Sequence, residues 1–121
     1  MAQKVVQTSV LDEEHFKALV YNPEDPRLFV VDVYSPCWGP CKIMVPTFAA
    51  LVPQIDDFEE RCQLLTADAS AITELAKYNG TSQPRFLFYK EGALVKDITG
   101  ANAPAIVKAI TALIPEGPRP A

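Results

Sequence analysis

The sequence predicts an α/β fold, a mixed β-sheet with helices on both faces, and three observations carry that prediction. Stretches with strand composition alternate with stretches of helical periodicity along the chain. One of them, LFVVDV at residues 28–33, is an apolar run broken by a single acid, the pattern of a central strand covered on both faces. The last third reads as a hairpin followed by one more helix.

In chain order, residues 4–8 are short and rich in β-branched residues, which predicts a first strand. Ser9 and Asp12 then precede an apolar series at Phe16, Leu19 and Val20, so a helix is expected over residues 12–21. Asn22, Pro23, Asp25 and Pro26 form a turn cluster before the central strand. Ile43, Met44, Phe48, Leu51, Val52 and Ile55 fit a helix over residues 41–58, with a kink expected near Pro46 and a second interruption at Pro53. Residues 63–67 supply the next strand. Residues 71–78 have helix-forming composition with Leu75 as the inward anchor, and Asn79-Gly80 closes them. Residues 85–90 and 93–98, separated by Glu91-Gly92, predict a tight hairpin. Asn102 is the expected N-cap of a last helix carrying Ile106, Val107, Ile110, Leu113 and Ile114. Residues 1–114 are thus read as one domain and the proline-rich residues 115–121 as a tail, loose or ordered by a partner.

Composition narrows the function classes. With 121 residues the chain suits one core of moderate size. A net charge of -4 with no run of Lys or Arg offers nucleic acid no basic surface. No apolar run approaches the roughly 18 residues of a membrane-spanning helix, and the N-terminus lacks the apolar core of a signal peptide, so a cytoplasmic protein is expected. Three cysteines in such a chain argue for free thiols over a disulfide framework. Cys62, within RCQLLTAD, reads as a small buried hydrophobe. Cys37, Cys41, Cys62 and His15 do not follow a zinc spacing; no metal and no cofactor are expected. His15 reads as a surface residue, and Asp56, Asp57, Glu59 and Glu60 as a solvated helix end.

The chemistry-bearing stretch is VDVYSPCWGPCK, residues 31–42. It resembles the active-site loop of the thioredoxin family, in which a buried Asp is followed by Trp-Cys-Gly-Pro-Cys-Lys. The spacing from Asp32 to Cys41 agrees with that pattern, but the order here is Cys37-Trp38. In this register an indole stands where the attacking sulfur belongs, while Gly39, Pro40, Cys41 and Lys42 are unchanged. The resemblance extends over residues 4–114: Pro46 matches the proline of the helix after the second cysteine, Pro84 the cis-proline before the hairpin, and Gly100 the glycine before the last helix.

Thiol-disulfide exchange needs an exposed thiolate and a second thiol to resolve the mixed disulfide. The resemblance implies that Cys41 keeps the resolving position and that Asp32 is the buried acid assisting proton movement there. Cys37 is the alternative nucleophile, since residues four apart in a helix have α-carbons about 6 Å apart, within disulfide range. Residues 62–67 lack the lysine that thioredoxins place near the acid, and Arg85 follows Pro84 where they commonly have threonine. Trp38, Gly39, Pro40, Pro84 and Arg85 form the expected binding surface, with Trp38 as an aromatic anchor.

A second resemblance lies in QPRFLFYKEGALVKDITGANAP, residues 83–104, which is similar to the thioredoxin-domain light chains of axonemal outer-arm dynein and their fusions with nucleoside-diphosphate-kinase-like domains. It implies a non-catalytic or weakly redox-active subunit in the cilium or flagellum, docked on dynein heavy chains and other light chains. The alternative is a cytosolic protein disulfide oxidoreductase or redox sensor using Cys37 and Cys41.

Overall fold

The computed structural model describes residues 7–10, 12–35, 43–80 and 84–115. Its strands are β1 (Gln7–Ser9), β2 (Leu28–Tyr34), β3 (Cys62–Asp68), β4 (Arg85–Lys90) and β5 (Ala93–Thr99). They form one five-stranded sheet in the order β1-β3-β2-β4-β5. The apolar run is β2, and it takes the middle place. It pairs parallel with β3 and antiparallel with β4, so the sheet is mixed.

Side chains alternate across a strand, which splits the core into two layers. Phe29, Val31 and Val33 pack with Phe16 and Val20 of α1 (Glu13–Val20) and with Ile72, Leu75 and Tyr78. Leu28 and Val30 face the other way, onto Phe48 and Leu51 of α2 (Val45–Leu51), Phe58 of α3 (Phe58–Arg61), and Ile106, Ala109 and Ile110 of α4 (Ala103–Leu113). Helices therefore cover both faces, as the sequence predicts. Each fully buried aromatic or leucine contributes about 1.5–3 kcal/mol.

Several elements differ from expectation. The helix expected over residues 41–58 is divided. Residues 41 and 42 lie outside the described residues; from Val45, α2 runs to Leu51, with Pro46 in its first turn, where a missing N–H leaves no bond unmade. The interruption expected at Pro53 is a full break. A 3-10 turn occupies Val52–Gln54, Ile55 is extended, and Asp57 at φ 54° starts the separate α3. Residues Thr73–Tyr78 form a 3-10 helix instead of an α-helix. The reason is the period of the buried residues: Ile72, Leu75 and Tyr78 recur every third position, which three residues per turn aligns on one face. Cys62 is a buried thiol, as expected, and Asp56, Asp57, Glu59 and Glu60 are exposed. His15 is half-buried on α1, and its N–H donates to the Asp12 carboxylate at 2.8 Å. Pro115, placed in the tail, is half-buried and its carbonyl accepts from Arg61 Nε at 2.8 Å.

Candidate functional site

β2 and β3 run parallel and deliver their C-terminal ends to the same end of the sheet, toward which Asp32 and Ser35 lie. Asp32 belongs to the alternate series of β2 that points toward α2 and α4, and its cross-strand neighbours are Thr66 and Phe86. It is 1% exposed, and neither carboxylate oxygen has a hydrogen-bond partner among the described residues. Burial pushes its pKa up to about 7; the Gln7 side chain pulls weakly the other way without reaching hydrogen-bond geometry. Among the described residues no cation opposes the shift, and β3 carries no lysine. Such a group takes up and releases a proton near neutral pH.

Ser35 fixes the end of β2. Its buried hydroxyl donates to the Tyr78 carbonyl at 3.4 Å and accepts the Gly80 N–H, tying the strand to the 3-10 helix. Arg85 is gripped from two sides: its guanidinium lies 4.5 Å over the Tyr78 ring and donates to Asp97 at 2.7 Å. The Pro84 carbonyl accepts the Gly100 N–H at 2.7 Å, and Pro84 itself is half-buried. Pro84 and Arg85 thus enter the site as a braced strand end.

Cys37, Trp38, Gly39, Pro40, Cys41 and Lys42 lie outside the described residues, as does Gln83, on which the isomer of the bond before Pro84 depends. Among the described residues, no group of three or more His, Cys, Asp or Glu is placed to hold a metal.

The structure adds residues the sequence reading missed. Ile43, read as an inward helical residue, is 72% exposed just before α2, whereas Met44 beside it is fully buried. The signal was present: Met44, Phe48 and Leu51 are spaced by four and three, and Ile43 falls outside that stripe. Tyr78 and Asp97, which hold Arg85, carried no sequence signal because their contacts join distant segments.

A mixed five-stranded sheet with a buried acid on its middle strand, a helix with proline in its first turn and a terminal hairpin and helix defines the thioredoxin-like α/β class. The Thioredoxin family model matches residues 7–112, and the chain belongs to the thioredoxin family. It is similar to the flagellar outer-arm dynein 14 kDa light chain of Chlamydomonas reinhardtii, with 32% identity over 94% of this chain and 86% of that protein. It is 41% identical to mouse thioredoxin domain-containing protein 6 over 69% of this chain, but spans only 25% of that protein's length. The X-ray structure of Fasciola hepatica thioredoxin is similar at TM-score 0.68 and 29% identity, over 88% of this chain and 99% of that one.

Proposed function

We propose that this chain is a thioredoxin-like light chain of the ciliary or flagellar outer dynein arm, working by docking and with little or no disulfide exchange. Its partners in this reading are dynein heavy chains and other light chains, and its location is the axoneme. The near end-to-end likeness to the 14 kDa light chain carries the reading. The site's chemistry agrees with it. The order Cys37-Trp38 removes the ionisable group from the helix-start position, and a resolving Cys41 with no attacking thiol has no mixed disulfide to resolve. Trp38, Gly39 and Pro40, with exposed Ile43 and the braced Pro84 and Arg85, form the docking surface. No helix among the described residues is long and apolar enough to cross a membrane.

The test is fractionation of axonemes carrying the tagged chain, with an insulin-reduction assay on the purified chain alongside. Co-sedimentation with outer-arm heavy chains, retained by Cys41→Ser, is the expected result. Absence from the arm fraction overturns the reading, as does insulin turnover at the level of an ordinary thioredoxin.

A further inference from the structure

We infer that the groove between β5 and α4 is a second docking surface, and that its occupant is an acidic amphipathic helix of a partner protein. The groove has a volume of about 480 Å³ and is lined by Ile98, Ala105, Ala109, Ala112 and Leu113, with Lys96, Asp97 and Lys108 among its walls. α4, APAIVKAITAL, carries one charge in 11 residues, and beside Lys108 and Thr111 its outer side exposes Pro104 and Ala112, with Ala105 half-buried.

Charge selects the occupant. In a chain of net charge -4, this groove presents two lysines, and neither pairs with a carboxylate among the described residues. Lys96 pairs with Phe88 and so shares the α4 face of the sheet. Asp97 also borders the groove, but it pairs with Leu87, and its carboxylate is already neutralised by Arg85 at 2.7 Å. The groove's cations are therefore unneutralised from within the described fold, and glutamate or aspartate on a partner completes them.

Geometry selects a helix. β5 is an edge strand, but the register shift at Phe88/Tyr89 leaves Val95 without a partner and bulges the edge, which opposes addition of another strand. Ala105, Ala109 and Ala112 are spaced by four and three, giving a shallow trough in which a second helix lies close. The inference shares with the light-chain reading only the existence of a protein partner, and it uses no residue of the loop surface.

Its test is a titration of the full-length isotope-labelled chain, followed by NMR, with a synthetic amphipathic helical peptide bearing leucine on one face and glutamate on the other, and with its lysine counterpart. The expected result is saturable shifts at Lys96, Ala105, Lys108 and Ala112 with the glutamate peptide only. The double variant K96E/K108E, exposed at both positions, should lose at least tenfold in affinity and gain affinity for the lysine peptide. Ala112→Arg, which fills the trough, should weaken binding similarly, and Lys17→Glu on α1 should not. Equal affinity for both peptides, indifference to charge reversal, shifts confined to residues near Ile43 and Pro84, or no saturable binding each overturns the proposal. Those outcomes leave the light-chain reading standing, because that reading falls only on the axonemal fractionation and insulin assays.

Discussion

Asp32 is held at the end of β2 where a charge is poorly tolerated: buried, unpartnered among the described residues, and raised to about 7 by desolvation. A carboxyl whose folded pKa lies above its unfolded value near 3.8 binds more protons in the native state over that interval. Stability is therefore full below the unfolded pKa and falls as pH rises to about 7, by an amount on the order of 4 kcal/mol from the shift. Asp32→Asn should flatten this dependence and raise the thermal midpoint at pH 8 by several degrees, with little change at pH 4. Melting curves across that range check it, and an unaltered pH slope would show that Asp32 is not the titrating group. At this scale the sequence showed the acid and its register. It could not show that Arg85, read as a contact residue, is committed to Tyr78 and Asp97, since those contacts join segments set side by side only by the sheet and the 3-10 helix.

Elements with strong local chemistry match the sequence closely. Asp12 caps α1 by accepting the His15 N–H at 2.8 Å, and Asn102 caps α4 by accepting from Ala105 at 3.2 Å. Asp12→Ala should lower unfolding free energy by about 1 kcal/mol in a urea titration. The β4–β5 hairpin turns through Glu91 at φ 53° and Gly92 at φ 80°, the paired left-handed conformation of a two-residue turn that follows strand twist. Glu91 is the poorer fit there. Glu91→Asn should stabilise by about 0.5–1 kcal/mol, because asparagine tolerates this region. Gly92→Ala should destabilise by about 1–2 kcal/mol through φ alone, since the added Cβ would meet Tyr21 O no closer than 3.7 Å. A reversed order of these two midpoints would rule out the turn assignment. Where local signals were mixed, the reading failed: residues 71–78 have α-forming composition but a three-residue burial period, and burial prevailed.

Across the whole molecule, two apolar layers enclose one sheet, and Cys62 reports on their integrity. Its thiol is 1% exposed and burial pushes its pKa up to about 12, with Arg27 opposing slightly. In a Cys37→Ser, Cys41→Ser background, disulfide-exchange labelling of Cys62 should track global unfolding and accelerate with denaturant; fast labelling in buffer would mean that the α2–α4 layer opens locally. The strand order, the Asn102 cap and the hairpin turn were written in the sequence, because each depends on neighbours a few positions apart. Only the tertiary structure decided that Arg85 is braced by Tyr78 and Asp97 and that Lys96 and Lys108 share a groove. These depend on which distant segments the sheet brings together, and a one-dimensional pattern carries periodicity but not proximity.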